Sequence, residues 1–241
     1  MKLYVIGLGP GETRQMTLWA REALEACTVL IGYQGYMDLI AADYPHKRQL
    51  ATPMTREVER CRMALAEAAA GETVGIVCSG DAGVYGMAGL IYELAEEYPP
   101  VEIEIVPGVT AASSGAAVLG APLMHDFAVI SLSDLLTPWE KIEARVRAAA
   151  MADFVICLYN PASRKRTGHL ARACEIAMEH RDGSTVCGYV RNIGRDGEAA
   201  ELTTLSGLAS ATLDMFTTVF IGSSETCVVN GKMVTPRGYR K

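Results

Sequence analysis

Strand-like and helix-like segments alternate along most of this chain. In the first half, short runs rich in Val, Ile and Leu lie near residues 3–6, 29–31, 74–78 and 101–106. Helical patterns lie near residues 17–27, 56–70, 84–97 and 111–117. Alternation of this kind is typical of a parallel sheet with helices packed on its faces. The pattern therefore predicts an α/β fold.

A loss of periodicity near the middle of the chain predicts two domains. Residues 120–126, Gly-Ala-Pro-Leu-Met-His-Asp, carry turn-forming residues without a helical or alternating pattern. We place the boundary there, giving an N-terminal α/β domain of residues 1–122 and a C-terminal α/β domain of residues 123–241. Beyond it, helical patterns cover residues 139–150 and 166–180, and closely spaced strand patterns near 185–190, 201–205 and 217–222 indicate a mixed sheet.

Composition excludes several classes of protein. Of 241 residues, 50% are hydrophobic and 21% are charged, which is too apolar for a disordered chain. The formal net charge of −6 provides no broad positive surface for a phosphate backbone, so nucleic acid is not an expected partner. Residues 105–125 carry no charge but include Pro and several Gly, which favours strand, loop and packing helix over a membrane span.

The seven cysteines favour reduced thiols in a cytoplasmic protein. The nearest pair in the sequence is Cys174 and Cys187, so no C-x-x-C spacing for a metal occurs, and the odd number argues against a disulfide framework. The first residues enter a strand pattern without the apolar stretch of a secretory signal. We therefore expect a cytoplasmic location, no contact with a membrane and no bound metal.

Three turns rich in small residues each follow a predicted strand. They are Gly7-Leu8-Gly9-Pro10-Gly11, residues 79–89, and Pro107-Gly108-Val109-Thr110. In an open α/β sheet, ligands bind where strands end, and glycine lets the backbone approach them closely. The second turn has glycine at every third position from 80 to 89, and each costs about 1 kcal/mol in a helix, which favours close backbone approach. We expect the three turns to converge on one pocket.

Known nucleotide-binding motifs are incomplete in these turns. Glu12 occupies the position of the third glycine of a dinucleotide fingerprint, and no Gly-Lys-Ser/Thr of a P-loop is present. A plain strand-to-loop turn and a ligand site explain the first turn equally well, and a helix cap is an alternative role for Asp81. The turns offer hydroxyl and backbone groups but no strong anion clamp, which favours a nucleoside or sulfonium ligand over a triphosphate.

In order along the chain, these motifs together with Leu158-Tyr159-Asn160-Pro161 resemble the tetrapyrrole methylases. Residues 80–87 and 158–163 are most similar to members that methylate carbon 17 of precorrin-3B, or of its cobalt-containing counterpart cobalt-factor III, and contract the ring during cobalamin biosynthesis. The resemblance spans the whole chain. It implies two α/β domains, S-adenosylmethionine in an interdomain cleft, and a homodimer. Because the chain has no close Cys cluster, members with an additional iron–sulfur domain are disfavoured.

The resemblance also assigns the cofactor contacts. In the first half they are Pro10, Gly80, Asp81, Val84, Thr110 and Ala111, and in the second half they are Tyr159, Gly188 and Thr217. Related members carry Met at the position of Tyr159. Methyl transfer from a sulfonium requires alignment of the reacting atoms rather than a nucleophilic side chain, so no catalytic residue is assigned. The four histidines have no mutual ligand spacing and are expected to be surface or core residues.

The substrate of the resembled family carries acetate and propionate groups, which arginine binds well because its planar fork pairs with carboxylates. Of the basic residues after two predicted strands, we expect Arg164 and Arg191 to bind these groups. A solvated helix start or a charged loop explains any single one equally well. Ring contraction also needs a proton donor or acceptor, and position at strand ends makes candidates of Ser79, Thr110, Ser131, Asp134 and Asn160.

Three alternative functions stay open at this point. One is a sibling methylase that modifies another carbon of the macrocycle. Another is a nicotinamide-dependent oxidoreductase that uses the first glycine turn, which Glu12 disfavours. The third is a non-catalytic dimer that binds a small molecule.

Overall fold

The computed structural model describes residues 1–163 and 166–239. Contacts within the chain divide it into two compact units, Met1–Thr110 and Ala111–Lys241. The division precedes the helix Ala111–Leu119, whereas the sequence placed the domain boundary after residue 122. The helix belongs to the second unit because it packs against that unit's sheet, as described below.

The first unit is built on a five-stranded sheet in which every strand pair is parallel. The strands are β1 (Lys2–Gly7), β2 (Val29–Tyr33), β3 (Arg48–Thr52), β4 (Thr73–Cys78) and β5 (Glu102–Val106), in the order β3-β2-β4-β1-β5. The helices are α1 (Leu18–Ala26), α2 (Gln34–Met37), α3 (Glu57–Ala69) and α4 (Ala88–Ala95). The predicted α/β architecture is confirmed, although the sequence pattern did not predict β3.

Helices cover both faces of this sheet, which explains why the inner strands β2 and β4 are apolar along almost their whole length. On one face, Leu3 and Val5 share a core with Leu65 of α3. On the other face, Ile6 shares a core with Leu24 of α1. These side chains are all fully buried. Helix α1 begins where the hydroxyl of Thr17 accepts a hydrogen bond from the backbone N–H of Ala20 at 3.0 Å.

The strand order brings three loops to one edge of the first sheet. Strand β1 lies between β4 and β5, and the three strands run in the same direction. Their carboxyl ends therefore meet at the same edge, so that the loops after Gly7, Cys78 and Val106 are neighbours. These are the three turns rich in small residues.

Helix α4 is shorter than the sequence pattern predicted. The pattern covered residues 84–97, but the helix begins at Ala88 because the preceding residues form turns. Within them, Tyr85 has a φ of 55°, in the left-handed region. A Cβ on Gly86 would lie 2.8 Å from the carbonyl oxygen of Asp81. The turns therefore require glycine at this position, and they lengthen the loop that follows β4.

The second unit contains a mixed five-stranded sheet, as the sequence predicted. Its elements begin with α5 (Ala111–Leu119), β6 (Gly120–Ala121), β7 (Phe127–Ser131), α6 (Trp139–Met151), β8 (Val155–Tyr159) and α7 (His169–Met178). They continue with β9 (Val186–Arg191), β10 (Ala199–Thr204), α8 (Leu205–Ala209), β11 (Thr217–Ile221), β12 (Cys227–Val229) and β13 (Lys232–Val234). The sheet order is β10-β9-β11-β8-β7, with β7 and β8 parallel and the other neighbours antiparallel.

Small residues allow α5 to lie close to this sheet. A Cβ on Gly115 would lie 2.9 Å from Ile193 Cδ1 and 3.0 Å from Phe220 Cζ. A Cβ on Gly188 of β9 would lie 3.0 Å from Leu119 Cδ1. Apolar side chains of α5 therefore share a core with the second sheet. The expected linker also has structure, because β6 within it pairs with β13.

The opposite face of the second sheet is covered by α6, α7 and α8. Ile156 and Val219 share a core there with Val146 of α6 and Ile176 of α7. In the described part of the chain, no helix has both the length and the apolar character needed to cross a bilayer.

Candidate active site

The loops after β1 and β4 are joined by a pair of backbone hydrogen bonds. The N–H of Gly9 donates to the carbonyl of Gly80 at 3.0 Å, and the N–H of Gly80 donates to the carbonyl of Gly9 at 2.7 Å. Both glycines have positive φ values, of 77° and 69°. Glycine adopts this region without the penalty that a Cβ imposes. The glycines were expected to allow close approach of the backbone. In the structure, the backbones of the two loops approach each other.

Asp81 connects the loop after β4 to the loop after β5. Its Oδ1 accepts hydrogen bonds from the backbone N–H groups of Gly83 at 2.8 Å and Val84 at 3.1 Å. Its Oδ2 accepts one from the N–H of Gly108 at 3.0 Å. A carboxylate offers about four acceptor positions, and these hydrogen bonds use three of them. Asp81 therefore links two loops, which is more than the helix-capping role considered as an alternative for it.

Direct contact between backbones requires glycine at two further positions. A Cβ on Gly108 would lie 2.6 Å from the carbonyl oxygen of Gly7 and would overlap that of Gly80. A Cβ on Gly7 would lie 2.6 Å from the backbone nitrogen of Gly108. The three turns therefore contact one another through main-chain atoms, and their convergence on one ligand pocket stays a prediction.

The first-unit residues assigned to the cofactor all belong to these three loops. Pro10 and Gly80 are buried, whereas Asp81 and Thr110 are partly exposed. Val84 is 36% exposed, and the adjacent Tyr85 is 56% exposed. An apolar side chain in such an open position can contact a ligand. The structure thus brings these residues to one edge of the first sheet.

In the second unit, Tyr159 binds the start of α5. Its hydroxyl oxygen accepts a hydrogen bond from the backbone N–H of Ala112 at 2.6 Å. The first N–H groups of a helix have no partner within the helix, so this contact satisfies one of them. The adjacent Ala111 is one of the predicted cofactor contacts. Tyr159 therefore fixes the main chain beside that position, a role that its assignment as a direct contact did not include.

The three second-half cofactor contacts do not share one face of the sheet. Tyr159 and Gly188 face α5. In β11, Phe220 faces α5 and Val219 faces the opposite core, and strand alternation places Thr217 with Val219. Its hydroxyl donates to Asp214 Oδ1 at 2.9 Å. Thr217 therefore lies on a different face of the sheet from the other two, and its assignment as a cofactor contact stays a prediction.

The neighbouring Thr218 lies on the same face as Gly188 and Tyr159. It pairs with Val190 of β9, whose side chain belongs to the core shared with α5. The sequence analysis did not single out Thr218, and a shift of one position along a strand reverses the face. The strand pattern of residues 217–222 is apolar on both faces and gave no signal to set the register.

Of the two arginines expected to bind substrate, the structure describes only Arg191. Arg191 ends β9, and its Nε lies 3.2 Å from Asp214 Oδ2. The same carboxylate accepts hydrogen bonds from the backbone N–H of Phe216 and from the hydroxyl of Thr217. Arg191 thus already has an acidic partner within its own unit. Arg164 lies outside the described residues.

A polar network occupies the carboxyl ends of the parallel strands β7 and β8. The side-chain amide of Asn160 donates to Ser131 Oγ at 3.0 Å. Asn160 has a φ of 53°, which turns the chain sharply after β8. Ser131 and Asn160 were both candidates for proton transfer by position, and the structure places them in contact.

A second part of this network surrounds Asp134. His169 Nε2 lies 3.1 Å from Asp134 Oδ2, and Arg166 Nη1 lies 3.7 Å from Asp134 Oδ1. Arg166 Nη1 also donates to Ser133 Oγ at 2.6 Å. The hydrogen bond with His169 lowers the pKa of the Asp134 carboxyl, and Arg166 lowers it further. The sequence gave no signal for this pairing, because His169 and Asp134 are far apart in the chain and no motif links them.

Six of the seven cysteines are buried. Burial raises the pKa of Cys78 to about 11 and the pKa of Cys27, Cys61, Cys174 and Cys187 to about 12. The pKa of Cys157 is raised as well. Thiols with such pKa values are protonated at neutral pH and are poor nucleophiles. Across the described ranges, no group of three or more His, Cys, Asp or Glu side chains is arranged to hold a metal ion.

Comparison with known proteins shows similarity along the whole chain. Residues 2–209 match the family described as Tetrapyrrole (Corrin/Porphyrin) Methylases. The chain is 49% identical to the probable cobalt-factor III C(17)-methyltransferase of Salmonella typhimurium (strain LT2), over 98% of this chain and 99% of that protein.

Solved structures show the same likeness. The methyltransferase CobJ has a TM-score of 0.91 and 36% identity, over 98% of this chain and 99% of that one. A uroporphyrin-III C-methyltransferase from Thermus thermophilus, solved in complex with S-adenosylhomocysteine, has the same fold, with a TM-score of 0.71 and 21% identity over 92% of this chain and 97% of that one.

Proposed function

Because this chain belongs to the tetrapyrrole (corrin/porphyrin) methylases, we propose that it methylates carbon 17 of cobalt-factor III, or of its metal-free counterpart precorrin-3B, and contracts the ring during cobalamin biosynthesis. The methyl donor is S-adenosylmethionine. The observation that carries this proposal is the 49% identity to the probable cobalt-factor III C(17)-methyltransferase over nearly the full length of both chains. Neither a sibling methylase nor an oxidoreductase is favoured by this similarity.

The loops of the first unit suit S-adenosylmethionine. The fourth acceptor position of Asp81 suits a ribose hydroxyl, and the exposed side chain of Val84 offers an apolar contact. Pro10, Gly80 and Thr110 complete this part of the proposed site. When bound, the cofactor supplies an electrophilic methyl group on a sulfonium that already carries its positive charge.

In the second unit, we propose Ala111, Tyr159 and Gly188 as cofactor contacts. Thr218 joins this set, because it lies on the face of the sheet that Gly188 and Tyr159 share, and the assignment of Thr217 stays a prediction. The hydrogen bond from Ala112 holds the main chain at Ala111 in place. A fixed main chain helps to align the methyl group with the attacking carbon, since methyl transfer depends on an in-line approach at about 3–3.5 Å.

Substrate binding by Arg164 and Arg191 stays a prediction. In Arg191, the guanidinium group forms an ion pair with Asp214. A carboxylate of the macrocycle would compete with Asp214 for it, or would use the N–H groups that Asp214 leaves available.

The experiment that tests the proposed function is methylation with a labelled donor. The purified protein would be incubated with cobalt-factor III and S-adenosylmethionine carrying a 13C-labelled methyl group, and the product analysed by NMR. We expect the label on carbon 17 of a contracted ring. Label on another carbon would identify a sibling methylase. In a separate calorimetric measurement, binding of NAD without binding of S-adenosylhomocysteine would contradict the proposal. A parallel reaction with precorrin-3B determines which form is the substrate.

We also propose that the protein is a cytoplasmic homodimer. Support comes from the family resemblance and from the predominantly buried, reduced cysteines. Light scattering during gel filtration tests the assembly, because a dimer has twice the 25.8 kDa of one chain.

A further inference from the structure

Methyl transfer from a sulfonium to a ring carbon requires a proton acceptor. The transfer forms a carbon–carbon bond and breaks the bond between sulfur and the methyl carbon, whose electron pair stays on sulfur. The positive charge therefore moves from the donor to the macrocycle. The macrocycle loses it by releasing a proton, so one proton must be accepted for each methyl group transferred. This requirement rests on the proposed function.

His169 is held in the manner of a general base. Its Nε2 lies 3.1 Å from Asp134 Oδ2, so the proton of the neutral ring resides on Nε2 and the lone pair on Nδ1. The ring of Trp139 packs against it edge-on, with 4.3 Å between the ring centroids. A carboxylate that orients an imidazole while leaving its other nitrogen available is the arrangement by which enzymes position a base.

The supports of His169 are themselves fixed. The indole N–H of Trp139 donates to Glu143 Oε1 at 2.9 Å, and the same oxygen accepts from Arg172 Nε at 2.8 Å. On the other side, Asp134 lies 3.7 Å from Arg166, which donates to Ser133. Among the described residues, Asp134 thus contacts the imidazole directly, with Arg166 beyond Asp134 and with Glu143 and Arg172 beyond Trp139. The ring is ordered before any substrate arrives, which is a condition for efficient proton transfer.

The position of this group suits a role in binding or catalysis. Asp134 lies just beyond the carboxyl end of β7, and the network continues through Ser131 to Asn160 at the end of β8. Ligands of α/β folds bind at such strand ends. The side chain of His169 is 22% exposed, so a substrate can reach it.

Other side chains are less suitable acceptors. The pKa of Asp134 is lowered, which makes its carboxylate a weak base. The buried thiols have raised pKa values and are protonated at neutral pH. Arginine side chains are donors only. Of the other histidines, His46, His125 and His180 are exposed, and His125 Nδ1 lies 3.9 Å from the nearest oxygen of Asp126, beyond hydrogen-bonding distance.

We propose that His169, oriented by Asp134, accepts the proton released when the macrocycle is methylated. His169 is then a catalytic residue, and Asp134 is a positioning residue that acts through it.

Single-turnover methylation by the whole protein tests this proposal. Four proteins would be compared: wild type, His169→Asn, Asp134→Asn and, as a matched control, His180→Asn, which changes an exposed histidine just beyond the end of the same helix. General base catalysis is worth about 10²–10⁴-fold, so His169→Asn should slow methyl transfer at least 100-fold. Asp134→Asn should slow it less, and His180→Asn should retain the wild-type rate. Affinity for S-adenosylhomocysteine, measured by calorimetry, should change less than twofold in all of them.

Chemical rescue separates a base from a structural residue. Added imidazole should restore part of the rate to His169→Ala, with a rescue that increases with the unprotonated fraction of imidazole as pH rises. A rate for His169→Asn within threefold of wild type would overturn the proposal, as would a slow His169→Ala protein that imidazole does not rescue. If the wild-type protein does not methylate cobalt-factor III or precorrin-3B, the proposed function itself is wrong.

Discussion

The phenolic oxygen of Tyr159 accepts a hydrogen bond from the backbone N–H of Ala112 at 2.6 Å. It thereby joins the end of β8 to the first turn of α5, across almost fifty positions of sequence. The contact satisfies one of the helix N–H groups that would otherwise lack a partner.

Removal of this hydroxyl should loosen the start of α5. We expect Tyr159→Phe to lower the free energy of unfolding by about 1 kcal/mol, the usual net worth of one hydrogen bond. It should also weaken binding of S-adenosylhomocysteine, because Ala111 would no longer be held in place. Urea unfolding and calorimetry measure the two effects. Tyr239→Phe is the control, since Tyr239 is 80% exposed, and equal behaviour of the two variants would contradict the prediction.

Asp81→Asn should weaken cofactor binding more than it weakens the fold. Asn keeps one acceptor oxygen but replaces the other with an NH₂ donor, so either the turn at Gly83 or the link to Gly108 loses its acceptor. We expect about a tenfold loss of affinity for S-adenosylhomocysteine in calorimetry. Asp43→Asn, which changes an exposed acidic side chain, should leave the affinity unchanged. An unaltered affinity in Asp81→Asn would show that the carboxylate is not part of the site.

Two glycine-to-alanine substitutions should have opposite effects on stability. In Gly108→Ala, the new Cβ would lie 2.6 Å from the carbonyl oxygen of Gly7, and the main chain there has little freedom to move. We expect a loss of about 3 kcal/mol or more in the free energy of unfolding, at or above the upper end of the cost of overpacking. In Gly89→Ala, no atom lies within 4 Å of the new Cβ, and the residue is in helix α4. That variant should gain about 0.5–1 kcal/mol.

Denaturant unfolding measures both free energies. Similar values for the two variants would contradict the role assigned to the contact between Gly7 and Gly108. Retained cofactor binding in Gly108→Ala would show that the three loops need not meet in order to hold the ligand.

Stability should fall in alkaline solution because of the buried thiols. Burial raises the pKa of Cys61 and Cys174 from 9.0 to about 12, so the unfolded chain loses these protons first as pH rises. The folded state then binds more protons than the unfolded state, and the free energy of unfolding decreases with pH. The stabilisation is complete below about pH 9 and is lost between about pH 9 and 12. Urea unfolding at pH 8.0 and at pH 10.5 should show the decrease.

A Cys61→Ala, Cys174→Ala double variant is the control for this prediction. It should lose less stability between the two pH values than the wild-type protein does. An equal loss would show that other groups cause the alkaline effect.

The parts of the fold that follow from local pattern were predicted from the sequence. Alternating strands and helices gave the parallel sheet of the first unit, and their order placed three glycine-rich turns at one edge. The division before Ala111 was not predicted, because Gly120 and Pro122 are strong turn signals whereas the packing of α5 on the second sheet depends on contacts distant in sequence. Local turn chemistry thus outweighed tertiary packing in the prediction.

The candidate site was predicted only where its residues lie in motifs. Gly80 and Asp81 belong to one continuous segment, so a local motif was enough to single them out. Thr218 depends on the register of β11, which an apolar strand does not reveal. His169 was expected to be a surface or core residue, because a side chain gains a partner such as Asp134 only when the chain folds.

The contact of Gly7, Gly80 and Gly108 has a consequence for how this protein can change. Its shape is set by peptide groups and by the carboxylate of Asp81, so other side chains around these loops can diverge while the contact keeps its form. Altering the form of this contact would then require insertions or deletions in the loops, whereas single exchanges such as Asp81→Asn change only the affinity for the cofactor. Evolution and engineering are both expected to find new specificity elsewhere, among the polar groups that follow β7 and β8.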